Sequence, residues 1–445
     1  MYTTLEVFMK NKWIIFSILI VAEILVLTGI VMVVWQDVNQ TNLGPVGIRM
    51  SNADLFSAES EEEWQFDPDE ITEITLESSG GDVIFETSQT DQILVTAHKT
   101  AWHSSKSKAQ AELESLSVKV SQVGNKIVIK YRREPVVFTF GTQQIDTVDF
   151  IISVPEGMAI TAQTDYGDIS SSGKVGDSSL NTDFGNIDLS GARGNLEATS
   201  NSGDIAIENV RGEDIHIVLE SNFGEIELSK SAGASVLAHS NSGAIYLLDV
   251  KASEQIDLSS DFGKLEFSEG SADIILLQAN SGKIILSSLQ VESNLTAHTD
   301  FGDILLDGVT ADLYDLDTNS GKIEINVLGG DIKAYSDFGD LDIQSTQPAT
   351  IDLFTKSGTV EYTGPLGLGP HSLATDFGDI SMYLPQDTAI TFDLETDFGK
   401  LRTEFPITLE GDVKPDHWSG TINDGGAALS ATTNSGDISF EIFNR

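Results

Sequence analysis

"TDFGDILL" at residues 299–306 is followed by "TNSGKIEI" at 318–325 and "SDFGDLDI" at 336–343. A turn-forming triplet and a short apolar run therefore recur, with DFG alternating with NSG. Aligned on its glycine, the unit returns at Gly167, Gly185, Gly203, Gly224, Gly243, Gly263, Gly282, Gly302, Gly321, Gly339, Gly358, Gly378 and Gly399. That is 232 residues over 12 intervals, or 19.3 per interval, and Gly436 follows 37 residues later, close to two periods. A period near twenty is the signature of a solenoid.

After each glycine, apolar residues alternate, as in Ile205 and Ile207, Ile226 and Leu228, Ile323 and Ile325. Period-two alternation over four to six residues marks a half-buried strand. A second strand precedes each turn, and no helical period intervenes between Gly167 and Gly399. Units too small to bury a core alone must stack, so the expected fold is all-β, a parallel β-helix of roughly fourteen or fifteen coils. At about 4.8 Å per coil the rod would be roughly 70 Å long.

The glycine is expected where the chain turns with φ > 0, which glycine enters without a Cβ penalty. The Asn, Asp, Ser and Thr residues before it favour such turns by bonding local backbone. The ladder Tyr166, Phe184, Phe223, Phe262, Phe301, Phe338, Phe377 and Phe398 is interleaved with Ser202, Ser242, Ser281, Ser320 and Ser357. This alternation would let each ring fill the space over a small neighbour, as close packing demands. The competing reading is a solvent-facing aromatic column that stacks against sugar rings.

The aspartates Asp183, Asp261, Asp300, Asp337, Asp376 and Asp397 invite a calcium reading. Most recur at every second coil, about 9.6 Å apart, too far for two carboxylates to share one ion at about 2.4 Å each. Turn formation is the expected role. A kinase reading of DFG fails, because neither an HRD sequence nor a glycine-rich loop over a lysine strand accompanies it.

Acidic residues outnumber basic ones 69 to 25, a formal net charge of −44, and cysteine is absent. Such a surface repels nucleic acid and anionic lipid. Disulfides, thiolate metal sites and a cysteine nucleophile are excluded.

Residues 13–35, "WIIFSILIVAEILVLTGIVMVVW", carry one charge in 23 residues. As a helix they would be about 35 Å long, enough to cross a hydrocarbon core of about 30 Å. Lys10 and Lys12 precede the stretch, so the positive-inside rule puts residues 1–12 in the cytoplasm and the bulk of the chain outside. The segment is too long for a cleavable signal and reads as a single-pass anchor in the cell membrane. Glu23 within it is a candidate for pairing with a partner helix. Residues 36–70 read as an acidic tether, and 71–163 as a β module with one helix ("SSKSKAQAELESL", 104–116) that caps the solenoid. Residues 164–445 read as the repeat domain, ending in a modified last coil.

The chain resembles the bacterial "putative-adhesin" domain family, first catalogued as a domain of unknown function. The resemblance rests on "ISVPEGMAITAQTDYGDIS" at 152–170, the recurring turn–strand unit, and "WSGTINDGGAALSATTNSGDISFEI" at 418–442. It covers roughly residues 71–445. It implies a right-handed β-helix, often membrane-attached and outside the cytoplasm, whose relatives sometimes accompany envelope-stress systems. The family supplies no catalytic motif to carry over.

Direct signals for catalysis are weak. His98, His103, His216, His239, His298, His371 and His417 are scattered. His239 and His298 share a repeat position three coils apart, roughly 14 Å, too far for one metal. Asp412, Lys414, Asp416 and His417 are close in sequence, as surface-loop residues commonly are. The expectation is a non-catalytic, adhesin-like binding module with no catalytic residues, cofactor or metal, contacting envelope polysaccharide or a surface or membrane protein. The alternative is a scaffold or accessory of an envelope-stress system acting through the membrane helix. A polysaccharide-active enzyme comes last.

Overall fold

The computed structural model describes residues 55–90, 92–133, 146–411 and 414–443. The expected anchor at 13–35 and Glu23 lie outside them. Among the described residues no helix is long and apolar enough to cross a membrane.

Two parallel ladders run the length of the domain, one from strands before the glycine and one from strands after it. They fix the register: Ser178 pairs with Ile160 below and Leu196 above, and Ile187 pairs with Ile169 and Ile205. Inward positions after the glycine form one aliphatic column. It includes Ile187, Ile205, Ile226, Ile245, Leu265, Ile284, Ile304, Ile323, Leu341, Val360 and Ile380, all without solvent exposure. Burying each such side chain contributes about 1.5–3 kcal/mol, which is why a narrow core suffices when it repeats.

About eleven turns run in chain order, from Gly167 to Gly378. The expected fourteen or fifteen coils came from continuing that order through Gly399 to Gly436; the chain departs from it there, and also in the N-terminal region read as a cap. At the N-terminal end, Glu73–Ser78 lies between Lys126–Tyr131 and Ala159–Tyr166, and Val83–Thr87 lies between Thr147–Val154 and Ile169–Ser171. At the other end, Ala427–Ser435 inserts between His371–Phe377 and Ile390–Thr396, and Ile438–Phe443 inserts between Ile380–Pro385 and Leu401–Thr403. Each end thus swaps the spatial order of two coils.

Antiparallel strands finish both ends. Ile93–His103 pairs with Thr147–Val154 on one side and with Phe56–Phe66 on the other. Phe56–Phe66, expected within the tether, is therefore an edge strand of the folded domain. The region 71–163 supplies solenoid coils as well as a cap. Its helix, Lys106–Ser115, buries Ala109 and Leu113 one turn apart. At the far end His417–Ile422 pairs antiparallel with Ile390–Thr396 and Ile407–Leu409. Antiparallel end strands replace the last open parallel edge with one of a different hydrogen-bonding pattern, which hinders rod-to-rod addition.

The recurrent glycine is explained by proximity, which corrects the expectation of φ > 0. Gly167 and Gly378 alone in the repeat column have positive φ, 131° and 159°. The others are required because a Cβ on each would overlap the carbonyl oxygen of the glycine one coil below. The positive-φ corner lies elsewhere. Asn209, Lys230, Asp249, Glu269 and Ser288 hold φ of 59°, 48°, 53°, 56° and 55° at the next bend of successive coils, followed by Gly308 at 63°.

Candidate functional site

The glycine edge carries several parallel columns, and each residue of the repeated "T/S–D/N–F/S–G" unit serves one. The first residue points inward. Hydroxyls of Thr182, Ser200, Ser221, Ser240, Ser260, Thr299, Thr318, Ser336, Thr355 and Thr375 each donate to the glycine carbonyl of the coil below, at 2.9–3.3 Å. Sequence reading missed this column, although Ser or Thr three residues before glycine was its signal. These hydroxyls satisfy carbonyls that would otherwise be buried without a partner.

The second residue explains the alternation of Asp with Asn. The Asn280 amide donates to Asp261 at 2.7 Å, Asn319 to Asp300 at 2.7 Å, and Asn434 to Asp376 at 3.2 Å. In the one Phe coil that carries Asn instead of Asp, Asn222 donates to Asn201 below and accepts from Asn241 above. Lys356 takes the amide's place over Asp337, forming an ion pair, while the Tyr335 hydroxyl donates to the same carboxylate at 2.6 Å. Lys356 holds the Asp337 carboxyl below its usual range, and the Lys356 ammonium is itself pushed up to about 12. From Asp261 onward the acids in this column are thus separated by donors. Among the described residues no group of three or more His, Asp or Glu is placed to hold a metal.

The third residue faces water. Phe223, Phe262, Phe301, Phe338 and Phe377 are 64–67% exposed, and Phe398 80%. The rings therefore do not fill interior space, which corrects the packing reading. Serines occupy the coils between: Phe301 pairs with Ser320, Ser320 with Phe338, Phe338 with Ser357 and Ser357 with Phe377. Rings thus stand at every second coil, about 9.6 Å apart. Only at the start do two meet, Tyr166 stacked on Phe184 at 5.1 Å and 8°.

After the glycine, a side chain bridges the coils again. The backbone N–H groups of Asn186, Asp204 and Glu225 bond to the side-chain oxygens of Asp168, Asn186 and Asp204, and Lys322 and Thr359 repeat this with Asp303 and Asp340. The result is a straight edge of flat apolar rings between hydroxyls, amides and carboxylates.

The histidines do not converge. His239 bonds Ser259 and Asn241, and His298 bonds Asp317, with Ser259 and Gln278 separating the two in register. His371 is buried, its Nε2–H donating to the Gly367 carbonyl, and burial pushes its pKa down. Near the C-terminal cap, His417 Nε2 lies 2.6 Å from Asp393 on the surface, while Asp412 lies outside the described residues. Burial raises the carboxyls of Asp149, Asp188 and Asp257, each on the outer face of a strand. None of these groups meets a nucleophile in a cleft.

No curated protein matches the chain. Solved structures aligned to it include a "putative cell adhesion protein" from Clostridium sporogenes, 8% identical, covering 87% of this chain and 100% of that one, with a TM-score of 0.18. Another is a "putative adhesin" from Bacteroides fragilis, 10% identical, covering 86% and 97%, with a TM-score of 0.19. The Toastrack DUF4097 family matches residues 71–268 and again 245–441, so that the two matches span both displaced ends and every coil between them. The chain belongs to the Toastrack DUF4097 family.

Proposed function

We propose that the protein is a non-catalytic, adhesin-like binding module, displayed outside the cell on a single membrane helix at residues 13–35, with its glycine edge as the contact surface. The observation that carries the reading is the row of exposed Phe rings alternating with serines. Flat apolar faces recur at a fixed spacing along it, with hydroxyl, amide and carboxylate groups beside each. Pyranose rings present the matching chemistry, an apolar face rimmed by hydroxyls. The net charge of −44 favours a neutral or cationic chain over an anionic one. Repeated weak contacts along a regular rod suit an extended polymer, here an envelope polysaccharide.

The test uses the full chain in detergent, immobilised and exposed to purified envelope polysaccharide, beside a variant with Phe223, Phe262, Phe301 and Phe338 all changed to Ser. Each ring lies mostly in water, so the variant folds. Retention of polysaccharide by the parent and its loss in the variant support the reading. No retention by the parent, or equal retention by both, overturns it.

A further inference from the structure

On a different side of the rod, four cations gather over a few coils. Lys174, Arg193, Arg211 and Lys251 line one open groove of about 1030 Å³. Their order follows from backbone register. The Arg193 N–H donates to Val175, the Arg211 N–H to Ala192, and Arg211, Ala232 and Lys251 stand on three successive coils. Arg193 and Arg211 are thus one coil apart, about 4.8 Å. Arg211 and Lys251 are two coils apart, with the small Ala232 leaving a gap between them.

The groove arises from coil length. The glycine intervals ending at Gly185 and Gly203 are 18 residues each, and the next, to Gly224, is 21. Two narrow coils are followed by a wider one, which makes a step in the rod surface. Gly212 and Gly233 leave its floor bare of side chains.

Charge pairing separates these residues from most other cations of the coils. Lys230, Lys264, Lys283, Lys322, Lys356 and Arg402 each pair with a carboxylate. Lys174 pairs with Glu156 at 3.0 Å. Arg193, Arg211 and Lys251 make no ion pair among the described residues, although Glu213 and Asp214 line the same groove. Arg193 and Arg211 on adjacent coils, with Lys251 two coils beyond Arg211, face the concave floor without an ion-pair partner and offer their charge to an anion.

We infer that this groove is a binding site for a compact, multiply charged anion, carrying two or three phosphate or carboxylate groups on a short scaffold. The guanidinium groups of Arg193 and Arg211 suit bidentate contacts with such oxygens. The acidic surface around the groove excludes a long polyanion, and the volume matches a ligand of small-molecule size. Glu213 and Asp214 weaken retention of a single charge, so the site selects for multivalency.

The test is calorimetric titration of the full chain with tripolyphosphate and, separately, with trigalacturonic acid, at low and high salt. At least one should bind at low salt and weaken as salt rises; which one binds identifies phosphate or carboxylate as the recognised group. Changing Arg193 and Arg211 together to Gln should weaken binding roughly tenfold or more, the loss of one to two charge-assisted hydrogen bonds. Lys251→Gln should weaken it to a smaller extent. Lys333→Gln, an exposed cation on another coil, should leave it within about twofold. Absence of binding by both probes, or binding unchanged in the double variant, overturns the inference.

Discussion

Gly436 stacks directly on Gly378, close enough that a Cβ on Gly436 would overlap the Gly378 carbonyl oxygen. Gly399 then stacks on Gly436 in the same way, although it comes earlier in the chain. The C-terminal strand is thus the penultimate rung of the ladder, and the backbone contact that demands glycine persists across the swap. Replacing a column glycine forces two coils apart. Gly224→Ala should therefore destabilise by about 3 kcal/mol, the upper range for overpacking. Gly80→Ala is the control, since its Cβ would meet nothing nearer than the Tyr166 carbonyl oxygen at 3.7 Å. Urea midpoints of the two variants check this, and equal midpoints would reject the close-approach explanation.

The inward hydroxyl column has one gap. Ala279 pairs with Ser260 below and Thr299 above, and it is fully buried. The carbonyl of Gly263 therefore lacks the hydroxyl its neighbours receive. Ala279→Ser should supply that bond and raise stability by about 1 kcal/mol, the usual net value of a buried hydrogen bond. Conversely, Ser260→Ala should cost about 1–3 kcal/mol by orphaning the Gly243 carbonyl. Thermal midpoints moving in opposite directions would meet the prediction. A destabilised Ala279→Ser would show that the site has no room for the hydroxyl.

The positive-φ bend offers a different lever. Glu269 is exposed and held at φ 56°, where a Cβ crowds its own backbone. Glycine there removes that crowding at some cost in unfolded-chain entropy, so Glu269→Gly should be stabilising by about 0.5–1 kcal/mol. A matched Glu266→Gly, within the strand Leu265–Ala279, should be destabilising by a similar amount. Chemical denaturation of the pair checks the sign of each.

These positions also show what the sequence could reveal. The coil period and the aliphatic column were legible because each coil repeats the same demand at Gly and at the Ile, Leu or Val two residues later. The bend at Asn209, Lys230, Asp249, Glu269 and Ser288 was not, because unlike residues occupy one backbone conformation. The swapped end coils were illegible for another reason: strand alternation specifies which face is buried, not which neighbour lies alongside. Gly436, 37 residues after Gly399, reads as a later coil by counting alone. Phe262 follows the inward Ser260 by two, so strict alternation points it inward. The chain is already turning there, and the ring swings out to water. The cationic groove was written in the intervals 18, 18 and 21, but only the coil register brings Arg193, Arg211 and Lys251 together.

His371 gives the stability a pH-dependent part whose sign can be worked out. The ring is 2% exposed, Nε2–H donates to the Gly367 carbonyl at 3.2 Å, and Nδ1 accepts from the Ile351 N–H at 3.4 Å. Burial holds its pKa below the ordinary 6.5. The unfolded chain therefore takes up a proton first as the pH falls, so this contribution is complete above about pH 6.5 and shrinks below it. Asp149, Asp188, Asp257 and Glu361 act in the opposite sense, because burial raises them. Their stabilisation is present below the ordinary carboxylate range and is lost as the pH rises through their folded values. The His371 part is isolated by comparing the parent with His371→Gln, in which those carboxyls are unchanged. Between pH 8 and pH 5 the parent should lose stability relative to the variant, the gap between their urea midpoints narrowing as the pH drops. Midpoint curves that stay parallel over that range would show that the ring is neutral, or charged, alike in both states.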